Sequence, residues 1–138
     1  MVQLEIGYLG ELRCQAVHGP SGEKLLTDAP VDNQGKGESF SPTDLVAAAL
    51  GSCLATVMGI MARRDGIDLK GLQVTVQKEM TAVPRRRIGR LNVRVVFPCP
   101  LSAEQKAKYE KVARYCPVHE SLHPEIEMPL EFVYPEQS

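Results

Sequence analysis

The stretch Ser41–Arg64 reads SPTDLVAAALGSCLATVMGIMARR and dominates the fold prediction. Ser41 is a preferred N-cap residue, Pro42 suits the first helical position, and Asp44 completes a capping box. The residues that follow are apolar with only small interruptions, and a helix that is apolar nearly all round is buried nearly all round. Its length is at the lower limit for a membrane span, but the charged segments on either side favour a core helix. We therefore predict one long, buried central helix that ends near Asp65.

Length and charge restrict the class of protein. A chain of 138 residues predicts a single domain over residues 1–138. With 16 basic and 17 acidic residues, its formal net charge of −1 indicates neither nucleic acid nor a membrane surface as a partner. The first residues lack the basic and apolar regions of a secretory signal, so we expect a cytoplasmic protein.

The cysteine pattern is that of free thiols. Four cysteines are spread widely along the chain, without the dense spacing of a disulfide framework. In a cytoplasmic protein such a pattern indicates free or reactive thiols rather than structural disulfides. The four residues are Cys14, Cys53, Cys99 and Cys116. We expect Cys14 and Cys99, in or beside predicted strands, to be inert.

The rest of the chain predicts segregated strands and helices, as in an α+β domain. Ser102 and Gln105 form a second capping box, which starts a helix running to about Tyr115. Pro117 then begins a short further turn of helix. Alternating apolar and polar residues predict half-buried strands. The predicted extended segments are 8–17, 23–27, 69–80, 91–97 and 126–134, with loops at 28–40 and 81–90.

Cys53 lies in the middle of the central helix. Its simplest interpretation is a small apolar filler, because cysteine is among the most buried residue types. A position ten residues into the helix gains little from the helix dipole, and apolar surroundings disfavour the thiolate form. We therefore expect a reactive Cys53 only if a cation or a hydrogen-bond donor reaches it from elsewhere in the chain.

Cys116 has a setting that favours the thiolate. The Cys116-Pro117 pair at a helix start places the thiol near an N-cap, with free backbone N–H groups ahead of it. Those groups and the helix dipole stabilise negative charge on the sulfur. The alternative is a cysteine that ends the preceding helix and only packs under the sheet.

A metal site is a further hypothesis for the same segment. The spacing of Cys116, His119 and His123 would place three zinc ligands on one helical face. A structural zinc site needs a fourth ligand and usually a second clustered pair. Because such spacing arises easily by chance, the sequence predicts no metal here.

Together these segments resemble the OsmC/Ohr family, the osmotically inducible protein C and organic hydroperoxide resistance proteins. The matching segments are SPTDLVAAALGSC at 41–53, RRDGIDL at 63–69 and YCPVHESL at 115–122, and the order of elements matches over essentially the whole chain. The resemblance implies an OsmC-like α+β fold, with antiparallel sheets wrapped around a long buried central helix. It also implies an intertwined homodimer.

The resemblance further implies a thiol-dependent peroxidase. By analogy, Cys53 is the peroxidatic thiol that attacks a hydroperoxide, and Cys116 is the resolving thiol that condenses with the resulting sulfenic acid. A thiol or dithiol then reduces the disulfide. No metal or organic cofactor is needed, and an apolar wall from Leu45, Leu50 and Leu54 would favour an organic peroxide.

The sequence departs from the family at the groups that activate the first thiol. The family's peroxidases have a Glu ten residues before the first Cys, where this chain has Thr43, with Asp44 beside it. They also carry an Arg in the first hairpin loop, which here reads HGPSGEK, so the nearest cations are Arg13 and Lys24. The candidates for activating Cys53 are Arg13 and Lys24 from the first hairpin and Arg114 just before Cys116, and of these we favour Arg13 because an arginine keeps its charge when partly buried. Asp44 can only orient a cation, because a carboxylate disfavours a nearby thiolate.

Two other function classes stay open at this point. The protein is alternatively a non-enzymatic module that binds an apolar ligand or senses redox state, with its cysteines as packing or sensing residues. A third possibility is a small zinc-binding protein that uses Cys116, His119 and His123. Dithiol-dependent peroxide consumption separates the first two classes, and metal analysis tests the third.

Overall fold

The computed structural model describes residues 1–136 and contains two compact units, residues 1–46 and 47–136. Each unit is described by itself, and the single domain stays a prediction. Helix α1 begins in the first unit and continues in the second. The elements are β1 Leu4–Gly10, β2 Arg13–His18, β3 Lys24–Asp28, α1 Pro42–Asp65, β4 Gln73–Thr81, β5 Arg87–Val96, α2 Ala103–Arg114, α3 Pro117–Ser121 and β6 Leu130–Val133, with one 3-10 turn at Val31–Asn33.

The first unit contains an antiparallel sheet in the order β1-β2-β3. The prediction of one continuous strand over residues 8–17 is wrong, because a tight turn at Glu11 and Leu12 separates β1 from β2. Both residues have positive φ, 53° and 65°. Such hairpin turns usually carry Asn, Asp or Gly. A leucine at this position gives no turn signal, so the sequence pattern missed the hairpin.

The predicted start of α1 is confirmed. The backbone N–H of Ser41 donates to Asp44 Oδ2 at 2.9 Å, and the N–H of Asp44 donates to Ser41 Oγ at 3.1 Å. These two bonds form the reciprocal capping box. At the other end Gly66 has φ 72°, the left-handed conformation that terminates helices. The helix limits therefore follow local sequence.

One stripe of α1 is buried, rather than its whole circumference. The buried residues recur every three or four positions, as one face of a helix does. A Cβ on Gly51 would lie 3.1 Å from Val76 and 3.4 Å from Val74, so the helix approaches β4 closely there. Ile60 is 50% exposed. The buried stripe is Ala47, Leu50, Gly51, Leu54, Met58 and Ala62.

By length and composition alone, α1 is also able to cross a membrane. The core helix of a soluble protein passes the same test, and this helix packs against a sheet along its buried stripe. Ser52 and Thr56 interrupt its exposed face with hydroxyl groups. These contacts agree with the predicted core helix.

The second unit contains a sheet in the order β4-β5-β6. Leu91, Val93 and Val95 are buried on one face of β5, which confirms the predicted alternation. Strands β4 and β5 are antiparallel, but β6 pairs parallel to β5, with Val95 opposite Phe132. The expected antiparallel pairing is therefore confirmed for the other strand pairs, and the β5–β6 pair departs from it. The helical connection through α2 and α3 returns the chain in the same direction, as parallel pairing requires.

Helix α2 is anchored to the end of α1. Ser102 and Gln105 form the predicted capping box. Tyr109 is fully buried, and its hydroxyl donates to Asp65 Oδ2 at 2.9 Å. Lys108 Nζ lies 2.9 Å from both oxygens of the same carboxylate. These contacts fix the segment that leads into α3.

Candidate active site

Cys116 is the N-cap of α3, as the sequence predicts. Pro117 occupies the first helical position, where a backbone N–H is not needed. The sulfur of Cys116 accepts a hydrogen bond from the backbone N–H of His119 at 3.4 Å. One otherwise unpaired donor of the helix start is therefore satisfied by sulfur instead of the usual oxygen.

The structure brings Cys53 and Cys116 together. The backbone N–H of Val118 donates to the Cys53 sulfur at 3.5 Å, and the N–H of the next residue, His119, donates to the Cys116 sulfur, so the two sulfurs are neighbours. Neither cysteine is in a disulfide. Two successive amides of α3, those of Val118 and His119, therefore each contact one sulfur of the pair.

The two thiols have unequal environments. Cys116 is 1% exposed, whereas Cys53 is partly exposed. Burial raises the pKa of Cys116, and the hydrogen bond to Cys53 and the charge on Cys53 raise it further. The N–H groups of His119 and Val118 oppose that shift of the Cys116 pKa. Cys116 therefore keeps its proton more readily than an ordinary thiol does.

A family model described as "OsmC-like protein" matches residues 35–131, which include both thiols. The chain belongs to the OsmC-like family. The predicted family and α+β fold are thus confirmed. No curated protein sequence is significantly similar to this OsmC-like chain.

Solved structures support the same fold. A protein from Psychrobacter arcticus 273-4, named for osmotic stress induction and a detoxification response, is 42% identical, with a TM-score of 0.91 and 96% of each chain covered. An organic hydroperoxide resistance protein OsmC from Legionella pneumophila is 17% identical, with a TM-score of 0.77 and 96% of each chain covered. One from Elizabethkingia anophelis is 14% identical, with a TM-score of 0.76 over 98% of this chain and 96% of its own. Because the last two proteins share less than a fifth of their residues with this chain, their similarity shows only a common fold.

In this OsmC-like chain, Arg13 is engaged by two carboxylates. Its guanidinium donates to Glu38 and lies 3.5 Å from Asp28 Oδ2. Asp28 is 2% exposed and also accepts from the N–H of Glu38 at 3.0 Å, which is the main reason that its pKa is lowered. The Glu38 carboxylate raises the pKa of Arg13. Arg13 thus ties β2 to the loop that follows β3, and its predicted action on Cys53 stays a prediction.

Asp44 has the structural role that the capping box predicts. Its carboxylate accepts from the N–H of Ser41 at the start of α1. A carboxylate in the first turn also interacts favourably with the helix dipole. Its orientation of a catalytic cation stays a prediction.

The described residues offer little for a metal. Within residues 1–136, no group of three His, Cys, Asp or Glu side chains is placed to hold a metal ion. Nδ1 of His123 accepts from the N–H of Glu125 at 3.1 Å, and Nδ1 of His119 lies 3.7 Å from a Glu120 carboxylate oxygen. The spacing of Cys116, His119 and His123 therefore does not become a cluster of ligands.

Sequence reasoning missed the backbone N–H of Val118 as a partner of Cys53. Pro117 at the start of α3 signals that the next amides are free of helical partners. That signal places free N–H groups near Cys116, and the prediction of a stabilised Cys116 thiolate rests on them. Only tertiary packing brings Cys53 to the same amides, so no local pattern could have found the second contact.

Proposed function

We propose that this protein is a thiol peroxidase that reduces organic hydroperoxides through Cys53 and Cys116. The observation that carries the proposal is that two successive amides at the start of α3 each donate to one of the two sulfurs, which brings Cys53 and Cys116 side by side. The name of the 42% identical protein from Psychrobacter arcticus, which refers to a detoxification response, adds support. A reactive cysteine beside a second thiol is the arrangement that disulfide-forming redox chemistry requires.

In the first step, the Cys53 thiolate attacks one oxygen of the hydroperoxide. A sulfur–oxygen bond forms and the oxygen–oxygen bond breaks, so sulfur is oxidised by two electrons and the peroxide is reduced. The alkoxide leaves with the bonding pair and takes up a proton to become the alcohol. Cys53 is then a sulfenic acid.

In the second step, the Cys116 thiolate attacks the sulfur of that sulfenic acid. A disulfide forms, and hydroxide leaves and becomes water by taking up a proton. A thiol or dithiol then reduces the disulfide by exchange through a mixed disulfide, which restores both cysteines and oxidises the reductant. The cycle uses no metal or organic cofactor.

The surroundings of Cys53 favour an organic peroxide. Leu50 and Leu54, one turn or less from Cys53 on α1, are fully buried, so they make the interior behind Cys53 apolar rather than contacting a substrate themselves. Apolar surroundings exclude water and favour the organic part of a substrate over a hydrated peroxide. In this proposal, hydrogen peroxide is the poorer substrate because it has no apolar part.

The proposed working form is a cytoplasmic homodimer, with a second copy covering the exposed side of α1. Ile60 is half exposed, and a depression of about 580 Å³ borders the small residues Ala55, Thr56 and Gly59. An apolar helix face gains free energy when another apolar surface covers it. Small side chains would let a second helix approach closely.

The second candidate function is a non-enzymatic module that senses redox state. The almost complete burial of Cys116 favours it, because a buried thiol reacts slowly with bulky reagents. In that case oxidation would produce the disulfide, but no reductant would turn it over rapidly.

Turnover assays separate the two candidates. Purified protein is mixed with tert-butyl hydroperoxide or hydrogen peroxide, with or without an added dithiol, and peroxide loss is measured. We expect dithiol-dependent consumption that favours the organic peroxide and is abolished by Cys53→Ser, while Cys14→Ser, the matched control, behaves like the wild type. Loss of no more than one equivalent of peroxide per chain, with every dithiol tried, would favour the sensor instead.

A further inference from the structure

Cys116 has a chemical task before it becomes the resolving thiol. Resting on the peroxidase function proposed above, we propose that Cys116 is the general acid that protonates the leaving alkoxide. The thiolate so formed is then the nucleophile that attacks the Cys53 sulfenic acid. One residue thus serves as acid in the first step and as nucleophile in the second.

The geometry places an acidic hydrogen at the reacting sulfur. A general acid must lie within hydrogen-bond reach of the group that it protonates. Successive amides of α3 contact the two sulfurs, Val118 that of Cys53 and His119 that of Cys116, so the Cys116 thiol lies beside Cys53 as a second donor. Of these two donors only the thiol has a proton to give, because a backbone amide does not ionise near neutral pH. With Cys116 1% exposed, bulk water has little access to its thiol.

The proton is released at the right stage. Before the attack, burial, the hydrogen bond to Cys53 and the negative charge on Cys53 raise the pKa of Cys116, so Cys116 is protonated. After the attack, Cys53 is a neutral sulfenic acid, and the repulsion from its charge disappears. The N–H of His119 still donates to the Cys116 sulfur at 3.4 Å and stabilises the thiolate.

Atoms and charge balance over the two steps. The Cys53 thiolate, the hydroperoxide and the Cys116 thiol give the Cys53 sulfenic acid, the alcohol and the Cys116 thiolate, with one negative charge on each side. The Cys116 thiolate and the sulfenic acid then give the disulfide and hydroxide. The hydroxide takes a proton from solvent.

The test compares two classes of peroxide in the variant Cys116→Ser. An alkyl hydroperoxide expels an alkoxide, which needs a proton, whereas peracetic acid expels acetate, a carboxylate that is stable unprotonated at neutral pH. Serine is a preferred N-cap residue, so α3 keeps its cap, but its hydroxyl is far too weak an acid to replace the thiol. The rate of the first oxidation of Cys53 is measured by stopped flow in single turnover, with Cys53→Ser as the blank.

We expect Cys116→Ser to slow the reaction with tert-butyl hydroperoxide by roughly 100-fold, the lower end of general acid catalysis, and to change the rate with peracetic acid by less than about threefold. Equal effects on both peroxides, or no effect on either, would overturn the acid role. Cys116→Ala, which removes both cap and hydroxyl, is expected to show the same difference between the peroxides.

Failure of the peroxidase function looks different. In that case the wild-type protein would oxidise Cys53 slowly with the alkyl hydroperoxide and fail to turn over with any dithiol. A wild type that turns over, combined with a Cys116→Ser variant that shows no difference between the peroxides, refutes only the acid role.

Discussion

The backbone N–H of Val118 donates to the sulfur of Cys53 at 3.5 Å, although the two residues are 65 positions apart. A backbone donor is set by the position of its helix rather than by its own side chain. The next amide of α3, that of His119, donates to Cys116. The placement of this five-residue helix therefore determines the electrostatic environment of both thiols.

The contact of the thiols predicts a specific disulfide. One equivalent of tert-butyl hydroperoxide is expected to link Cys53 to Cys116, because successive amides of α3 hold the two sulfurs close together and little movement is needed. Peptide mapping by mass spectrometry without reductant measures the link. Cys99→Ser is the matched control and is expected to leave it intact. A product that joins Cys53 to another cysteine, or that stays a stable sulfenic acid, would contradict the resolving role of Cys116.

The predicted action of Arg13 on Cys53 is testable by alkylation. Arg13→Ala is expected to slow the reaction of Cys53 with iodoacetamide at neutral pH by roughly tenfold, because a cation favours the thiolate. Glu38→Gln removes a carboxylate partner of Arg13 and keeps the cation, so it is expected not to slow alkylation. The exposed-hairpin variant Arg86→Ala serves as a second control.

Two results would count against that role of Arg13. If Arg13→Ala and Glu38→Gln slow alkylation equally, the ion pair acts only by holding the loop after β3. If the wild-type Cys53 reacts like an ordinary thiol, neither Arg13 nor α3 activates it.

The carboxylate of Asp65 predicts a pH-dependent stability. Hydrogen bonds from Lys108 first, and then from Tyr109, lower the pKa of Asp65 below its unfolded value. Its contribution to the free energy of unfolding is therefore present above about pH 4 and is lost as the pH falls through the folded pKa. Asp65→Asn is expected to be less stable than the wild type at pH 7, with a smaller difference at pH 3, in urea unfolding.

Tyr109→Phe is the matched control for that experiment. It removes one hydrogen bond to Asp65 and keeps the carboxylate, so unfolding is expected to be easier by about 1 kcal/mol. Because Lys108 still pairs with Asp65, the pH dependence of stability is expected to remain. A difference between Asp65→Asn and the wild type that does not shrink with acid would show that the carboxylate's charge contributes nothing.

The exposed side of α1 predicts dimerisation. Light scattering at micromolar concentration is expected to give twice the chain mass of 15.2 kDa. Ile60→Glu is expected to shift the protein to monomer, because burying an unpaired carboxylate in an apolar interface is costly. Arg85→Glu in the exposed β4–β5 hairpin is the control for an added acidic residue. A wild-type monomer would refute the homodimer.

Local sequence determined the helix limits and the cap of the second thiol. Ser41 with Asp44, and Ser102 with Gln105, form the predicted capping boxes because these bonds join residues three positions apart. Cys116 caps α3 for the same reason, with its donor at the third residue after it. The alternation along β5 also reports burial directly, since its period is that of the strand.

Only the tertiary structure decided the rest. The turn at Leu12 and the parallel pairing of β6 carry no local signal, because the first uses an atypical residue and the second depends on how the chain returns. The sequence indicated that a reactive Cys53 needs a hydrogen-bond donor or a cation from elsewhere in the chain, but it did not identify that group. The folded chain supplies the N–H of Val118 and the thiol of Cys116, which are distant in sequence and reach Cys53 only when α1 and α3 pack together.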